Sequence, residues 1–358
     1  MITIKDIAKE ANVSEGTVDR VLHKRGGVSK KTEARIQEIL KRHDFKVNPV
    51  ARALALKNKY KLAILMPSFN EDDLFFRGPY SGILKASSEV KNIGVAVSNY
   101  FFDQFDGQSY LKQFEVLMKS DPSAVVLVPT FVKETKIIID RLETLKIPYL
   151  FFNIDLQGFK NISFIGQDSY MGGYVAGKLM HLSLGKQSSV LIVNTTLNIT
   201  NYHAISKRVE GFNDYFVKND IEINTSTLSI DNFDQLEETK LKINSFLSQH
   251  KTIKGVFVPS SRIGAVAEAL DDEIIANIEL IGFDNTEPNL KCLETDKVSF
   301  LISQKPFEQG LEAVQLMSDY LVNGKLPAPI IYSPIEILTK ENARYNQRTE
   351  KEFEQREG

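Results

Sequence analysis

The 358-residue sequence contains one cysteine, Cys292, no tryptophan and no long apolar run. A single cysteine cannot form an internal disulfide or a thiolate-based zinc site. No stretch approaches the roughly 18 apolar residues that a membrane-spanning helix needs. The first twenty residues are charged and polar, whereas a secretory signal carries an apolar segment there. We therefore expect a cytoplasmic protein with no membrane segment.

The composition is that of a folded protein with more than one domain. Apolar residues make up 42% of the chain and charged residues 25%, which is close to the average for globular proteins. The length exceeds the roughly 100 to 200 residues of one domain, so we expect two or three folded units.

Charge is distributed unevenly along the chain. Residues 1–60 hold 14 Lys plus Arg and 7 Asp plus Glu, a net charge of +7, and the remainder holds 30 and 39, a net charge of -9. A basic head on an acidic body indicates that the head contacts a polyanion such as nucleic acid. A run of charges can also be an ordinary solvated surface, so a DNA-binding role for the head needs the support of a sequence motif.

The spacing of apolar residues in the head predicts three short helices. Thr3 and Asp6 form a capping-box pattern before the first helix, and Ser14 and Ser29 are placed to cap the second and third. The apolar faces are Ile4, Ile7, Ala8 and Ala11, then Val18, Val21 and Leu22, then Ile36, Ile39 and Leu40. The first two helices and the turn between them have the spacing of a helix-turn-helix, which places its second helix in the major groove. A small helical bundle with no nucleic-acid partner is the alternative.

The specific residues of the head favour DNA binding. The segments TIKDIA (3–8), VS (13–14), TVDRVL (17–22) and VSKKT (28–32) resemble the DNA-binding head of the LacI/GalR family of bacterial transcription regulators. The resemblance implies that Glu15, Gly16 and Arg20 read base edges. It also implies that hydroxyl groups contact phosphates, namely those of Thr3, Ser14, Thr17, Ser29 and Thr32.

These base-reading positions differ in chemistry. Arg20 can donate two hydrogen bonds to guanine, Glu15 can accept one from cytosine, and Gly16 has no side chain with which to read a base. Asp19 stands where the family usually has serine, and its carboxylate would repel phosphates or tether Arg20.

Residues 48–56, NPVARALAL, resemble the hinge helix of the same family. That resemblance implies that Leu54 wedges between base pairs from the minor groove and that small Ala51 lets paired hinges approach closely. The alternative is that alanine and leucine simply favour a helix here.

The body alternates short apolar runs with amphipathic stretches, which predicts a parallel α/β fold with two sheets. The predicted strands are at 62–66, 95–97, 124–128, 149–152, 190–193, 256–258 and 280–281, with helices near 79–91, 108–119, 134–145, 170–183, 204–219, 234–248, 262–270 and 306–323. Open parallel sheets bind ligands beyond the carboxyl ends of their strands. Polar residues lie at these points: Ser68, Asn70, Asn99, Asp103, Asn153, Asp155, Asn194, Ser260, Ser261 and Asp284. Singly, many such residues only cap helices or turn loops.

Residues 61–338 resemble the periplasmic-binding-protein-like effector domain of the same family. The similarity rests on DLFF (73–76), IGQD (165–168), SKRVEGF (206–212), IGFDN (281–285) and QKP (304–306). It implies a ligand site in which Phe76 covers an apolar face and polar groups bind hydroxyls, with Asn153, Arg208, Ser260, Asp284 and Gln304 as the polar members. Phe75 or Phe76 could instead be ordinary core, and Arg208 could pair with Glu210.

The ligand class follows from these side chains. Arginine, carboxylate and amide groups bind vicinal hydroxyls while an aromatic ring packs against C–H faces, which indicates a sugar. Arginine suits a carboxylate or phosphate equally well. Ser260-Ser261 followed by Arg262 replaces a pair that is acidic in many relatives, so a sugar acid or sugar phosphate remains open.

We therefore predict a multi-domain protein: an all-α helix-turn-helix head at 1–47, a hinge helix and linker at 48–60, and an α/β effector-binding and dimerisation domain of two interleaved subdomains with parallel sheets at 61–338. A charged tail at 339–358 follows, either frayed or a partner-binding helix. The predicted function is a ligand-controlled, homodimeric DNA-binding repressor whose partners are double-stranded operator DNA and a small carbohydrate effector. No cofactor or catalytic residue is expected, because no dinucleotide, phosphate-loop or nucleophile-elbow motif occurs. No metal is expected either, because the five histidines show no metal-ligand spacing. A transport-type binding protein and an α/β enzyme with a helical appendage are the alternatives.

Overall fold

The head is a three-helix unit. The computed structural model describes residues 3–22, 26–43, 45, 59–70, 75–185, 188–195, 203–230 and 236–346. Helices α1 (Ile4–Glu10), α2 (Glu15–Leu22) and α3 (Lys30–Arg42) enclose a small apolar core. That core contains Ile7, Ala8, Ala11, Val18, Val21, Ile36 and Ile39, so the helical periodicity identified the buried faces correctly.

The body consists of two α/β subdomains. The first contains strands β1 (Tyr60–Pro67), β2 (Val95–Phe102), β3 (Ala124–Leu127), β4 (Tyr149–Phe152), β5 (Phe164–Gly166) and β11 (Ile330–Tyr332), with helices α4 (Arg77–Val90), α5 (Gly107–Met118), α6 (Val132–Thr144) and α13 (Pro306–Asn323) and a 3-10 turn at Lys91–Ile93. The second contains β6 (Ser189–Asn194), β7 (Asn224–Ser229), β8 (Ile253–Val258), β9 (Glu279–Phe283), β10 (Phe300–Ser303) and β12 (Glu336–Leu338), with α7 (Ser169–Ser183), α8 (His203–Lys218), α9 (Leu236–Gln249), α10 (Ile263–Ala269), α11 (Asp272–Ile275), α12 (Glu287–Glu294) and α14 (Ala343–Asn346).

Both sheets have the same strand order. Among the described residues, the first sheet runs β11-β5-β4-β3-β1-β2 and the second β12-β10-β9-β8-β6-β7. Neighbouring strands are parallel except for β10 and β12, which pair antiparallel. The chain passes between subdomains after β5, after β10 and between β11 and β12. The subdomains are therefore two versions of one arrangement, and their strands have equivalent positions.

A close helix crossing recurs in each subdomain. In the second, a methyl group added to Gly173 of α7 would overlap the backbone carbonyl of Arg208 in α8, and one added to Gly211 of α8 would overlap the carbonyl of Tyr170. Gly82 of α4 and Gly310 of α13 make the equivalent crossing in the first subdomain. Only glycine permits such backbone contact, and the crossing fixes the position of α8, which carries Arg208.

The structure confirms the predicted fold class, a helical head followed by an α/β body with two largely parallel sheets. Each predicted strand and helix of the body is present. The strands β5, β10, β11, β12 and β7 were not predicted. The first four are apolar but only three or four residues long, which is too short to show a periodic pattern, and the edge strand β7, NTSTLS, is largely polar. The hinge residues Ala51 and Leu54, together with Asp73 and Leu74, lie outside the described residues.

The carboxy-terminal segment is described only to Asn346. There Ala343 of α14 is buried in the apolar core of the second subdomain, and Lys340 forms an ion pair with Asp296. Among the described residues, none of the helices has both the length and the apolar character needed to span a membrane.

We predict that Gly173→Ala destabilises the protein by about 1 to 3 kcal/mol, as overpacking of a filled interior does. Replacing a glycine by alanine at an open helical position would instead stabilise the protein. A decrease in the free energy of unfolding is therefore the expected sign of the close helix crossing. Urea unfolding of the full chain measures the effect. Gly185→Ala is the control, because an added methyl there meets none of the described residues beyond its chain neighbours within 4 Å; equal behaviour of the two variants would contradict the prediction.

Candidate DNA interface and candidate ligand cleft

Helix α2 presents the three predicted base-reading residues on one surface. Glu15, Gly16 and Arg20 are exposed, whereas Val18 and Val21 on the opposite face are buried in the head core. The Arg20 guanidinium lies beside Gly27, in the segment that joins α2 to α3. The exposed face of α2 therefore takes no part in the core of the head.

The five predicted phosphate-contacting hydroxyls cluster at the first turns of the three helices. Ser14 Oγ accepts a hydrogen bond from Thr17 N at 3.2 Å, and Ser29 Oγ accepts one from Thr32 N at 3.2 Å. Hydroxyl-to-hydroxyl contacts join the same pairs at 2.9 and 2.8 Å. Helix amino termini carry partial positive charge and unsatisfied N–H groups, which suit phosphate binding.

Thr3 differs from the other four residues. Its hydroxyl donates to Asp6 Oδ2 at 2.6 Å and its backbone N donates to the same oxygen at 2.9 Å. These hydrogen bonds lower the pKa of Asp6, so its carboxylate is charged at neutral pH. A phosphate at Thr3 would meet that negative charge, which makes Thr3 the least suited of the five hydroxyls.

The candidate ligand cleft lies at the carboxyl ends of the two sheets. Asn153 follows β4 and Asp284 follows β9, which are equivalent strands. Both residues are buried and both adopt left-handed backbone conformations, with φ of 68° and 74°. Asn and Asp tolerate this conformation better than other non-glycine residues. The fold thus places two polar side chains at matching points of the two subdomains.

Arg208 of α8 is 5% exposed. Its Nη1 donates to the carbonyl oxygen of Pro259 at 3.0 Å, and its Cζ lies 3.9 Å from the centroid of the Phe283 ring. Burial lowers the pKa of Arg208, and the nearby Asp284 carboxylate opposes that shift. Glu210, considered above as a partner of Arg208, pairs instead with Lys207 at 2.8 Å.

A chain of amide hydrogen bonds connects the two subdomains. Gln304 Nε2 donates to Asp284 Oδ1 at 2.6 Å, and Gln309 Nε2 donates to the Gln304 carbonyl at 2.7 Å. Asn153 Nδ2 reaches Gln309 Oε1 at 3.4 Å. Asn153, Asp284 and Gln304 therefore belong to one buried network, to which sequence reasoning did not assign Gln309.

Ser260 and Phe76 occupy different surroundings. Ser260 Oγ lies 2.9 Å from Thr195 Oγ1 at the carboxyl ends of neighbouring strands in the second sheet. Phe76 is 6% exposed and meets Phe75 edge-to-face at 4.9 Å within the apolar core of the first subdomain. Phe76 is thus part of the core here, as the alternative reading of the sequence allowed.

Several buried polar atoms beside the cleft have no hydrogen-bond partner among the described residues: Thr130 Oγ1, Gln167 Oε1, Asn194 Oδ1 and Arg208 Nε. Most buried polar groups in proteins are hydrogen-bonded, so these four atoms have hydrogen-bonding capacity that a ligand in the cleft could use. Thr130 was missed from the sequence. The signal that could have identified it is an internal repeat, VPT at 128–130 and VPS at 258–260, which follows equivalent strands.

The three segments that cross between subdomains are joined to one another. Gln167 Nε2 donates to the carbonyl oxygens of Ser303 at 3.0 Å and Pro334 at 3.4 Å. Ser333 N donates to the Gly166 carbonyl at 2.7 Å. These bonds join the three crossing segments into one hydrogen-bonded unit between the subdomains.

A titratable pair faces the cleft from opposite subdomains. Burial raises the pKa of Asp155, which follows β4, and burial lowers the pKa of His203, which begins α8. Each group is thereby shifted towards its neutral form, although the charge of each favours the charged form of the other.

Comparison with known proteins identifies both parts of the chain. Residues 62–326 match the family described as periplasmic binding protein domain, and residues 3–48 match the bacterial regulatory proteins of the lacI family. The ribose operon repressor of Lactococcus lactis is 24% identical over 96% of this chain and 98% of its own length. Catabolite control protein A of Priestia megaterium is 21% identical over 96% of this chain and 99% of its own.

Solved structures show the same fold. A Bacteroides fragilis protein described as a LacI transcriptional regulator superposes with a TM-score of 0.74 and 26% identity, covering 80% of this chain and 99% of its own. A glucose-galactose binding protein from Geobacillus stearothermophilus superposes with a TM-score of 0.68 and 18% identity, covering 79% and 98%.

We predict that Gln304→Leu destabilises the protein by about 1 to 3 kcal/mol, because it leaves the buried Asp284 carboxylate without its amide donor. Gln315→Leu is the matched control, since the exposed Gln315 also donates to a carboxylate, that of Glu89, at 3.1 Å. We expect it to change the unfolding free energy by less than about 0.5 kcal/mol. Urea unfolding of both variants measures the difference, and equal effects would contradict a role for the buried network.

Proposed function

Since the chain belongs to the periplasmic binding protein domain family and joins that domain to a head of the bacterial lacI regulatory family, we infer that it is a DNA-binding transcriptional repressor controlled by a small ligand. The observation that carries this function is the presence, in one chain, of a basic head with an exposed reading face on α2 and a body with polar groups around a cleft. Its full-length relatives are transcription regulators, and we propose no turnover of the ligand.

In this proposal the head at residues 1–47 binds operator DNA in the cytoplasm. Arg20 and Glu15 read bases, and the hydroxyls of Ser14, Thr17, Ser29 and Thr32 fix the register through phosphates. Gly16 reads no base. Thr3 contributes less, because Asp6 already occupies its hydroxyl.

The effector in this proposal is a sugar or an anionic sugar derivative. Arg208 and Asp284 contribute a charged donor and a charged acceptor, and Asn153, Ser260 and Gln304 supply neutral polar groups. The alternation of donors and acceptors suits vicinal hydroxyls. The name of the ribose operon repressor and the glucose-galactose binding neighbour support a carbohydrate, and the guanidinium of Arg208 also suits a carboxylate or phosphate.

Control of DNA binding follows from how the units are connected. We assign residues 48–60 to a hinge and linker, 61–338 to a dimerising effector domain, and 339–358 to a tail. Effector binding closes the cleft about the joined crossover segments and changes the relative placement of the first subdomains in a homodimer. Ala51 and Leu54 of the paired hinges then lose their minor-groove contacts. A switch of this kind requires that the effector bind the two states with different affinity.

Ligand control is tested with the full chain in two steps. A thermal-shift panel of sugars, sugar acids and sugar phosphates identifies a ligand, because a ligand at 100 times its Kd stabilises the protein by about 2.7 kcal/mol. A gel-shift titration with operator DNA at saturating ligand then measures the coupling. We expect operator affinity to change about 5- to 150-fold; unchanged affinity would remove the sensing function.

Base reading is tested with Arg20→Ala. We expect a loss of about 1 to 3 kcal/mol of discrimination at one base pair of the operator, because a bidentate contact to guanine is removed. Competition binding against single-base operator variants gives the measurement. Arg35→Ala removes the same charge from an exposed position of α3 and should weaken all sequences alike. Uniform weakening by Arg20→Ala would make Arg20 a phosphate contact.

A further inference from the structure

Phe105 and Arg262 meet across the mouth of the ligand cleft. Phe105 lies three residues after β2 in the first subdomain, and Arg262 lies four residues after β8 in the second. The Cζ of Arg262 is 5.5 Å from the centroid of the Phe105 ring, within the range of a cation–π interaction. The carboxyl ends of both sheets border the cleft, so this contact bridges it.

Phe105 is held in place by its own loop. Its backbone N donates to Asp103 Oδ1 at 2.9 Å, and Asp106 N donates to the Asp103 carbonyl at 3.1 Å. Asp106 then caps α5 through Gln108 N at 2.8 Å. The ring nevertheless remains 55% exposed. The backbone that carries the ring is therefore fixed within the first subdomain, and the distance between the ring and Arg262 depends on how the subdomains are placed.

Arg262 is anchored to the ligand cleft. Its backbone N lies 3.4 Å from Ser260 Oγ, and its carbonyl accepts from Val266 N at 3.1 Å in the first turn of α10. Pro259 lies three residues before Arg262, and its carbonyl accepts a hydrogen bond from Arg208 Nη1. Arg208, a candidate ligand contact, is therefore hydrogen-bonded to the loop that carries Arg262.

Phe105 lies far from the segments that connect the two subdomains. Strand β2 is the edge of the first sheet opposite β11, and the crossover segments follow β5, β10 and β11. When two rigid bodies rotate about a hinge, points far from the axis move most. Phe105 lies at this edge, and Arg262 follows β8, which is two strands from β10 in the second sheet. A small opening therefore breaks their contact before it breaks contacts at the crossovers.

We propose that Phe105 and Arg262 form a clasp that holds the cleft closed at its mouth, which makes them positioning residues for retention of the effector. The clasp does not depend on the DNA-binding function. Its influence on the operator does rest on the proposed function, because closure must be coupled to the head. The strength of an exposed cation–π interaction corresponds to about a two- to fivefold bias towards the closed state.

The absence of tryptophan from the chain allows a direct test. Phe105→Trp introduces a single fluorescent reporter and keeps an aromatic face for Arg262. When Arg262→Met is added, which removes the cation but keeps a long side chain, we expect the acrylamide quenching constant to increase, by less than twofold because the ring is already 55% exposed, and the emission to shift to the red. An unchanged quenching constant and emission maximum would overturn the clasp.

A matched pair controls for general loosening of the fold. Leu182→Trp places the reporter at an exposed position of α7, and adding Arg262→Met should leave its quenching unchanged. An increase at both positions would also overturn the proposal, because the cation would then act on overall stability. The measurement needs neither effector nor DNA, so a negative result leaves ligand control of the operator standing, and an inactive regulator leaves the clasp standing.

Discussion

The buried guanidinium of Arg208 is the constraint around which the second subdomain organises its side of the cleft. A charge that is 5% exposed requires compensation, which comes from the Pro259 carbonyl, the face of Phe283 and the field of Asp284. Each partner lies at or just beyond the carboxyl end of a strand. The glycine crossing of α7 and α8 sets where the guanidinium lies, so backbone packing and ligand chemistry are linked at one residue.

The duplicated framework explains why the cleft residues occur in equivalent pairs. Asn153 and Asp284 follow β4 and β9, and Gln167 and Gln304 follow β5 and β10. The two glutamines nevertheless make different contacts. Gln304 donates to Asp284 inside the cleft, whereas Gln167 joins the crossover segments. One repeated scaffold thus supplies both the polar groups of the candidate ligand cleft and the hydrogen bonds that join the crossover segments.

In the proposed DNA-binding role, the same hydroxyl groups of the head serve both folding and recognition. Ser14 and Ser29 cap their helices, and this capping gathers hydroxyls and helix amino termini on the surface of a basic unit. Stability and phosphate binding both favour exposed hydroxyls at these points. Thr3 is the exception, because its capping partner is a carboxylate.

The sequence by itself determined the periodic and local features. The apolar spacing gave the three helices of the head and the longer strands and helices of the body, because burial of one helix face or a whole strand leaves a regular pattern. The resemblance to a family supplied candidate positions such as Arg208 and Asp284. Only the tertiary structure decided which distant residues meet. It placed Phe76 in the core, joined Arg208 to Pro259 and Phe283, and brought Gln309, Thr130 and Phe105 to the cleft. Such contacts depend on the packing of segments that are far apart in the chain, so no local pattern in the sequence predicts them.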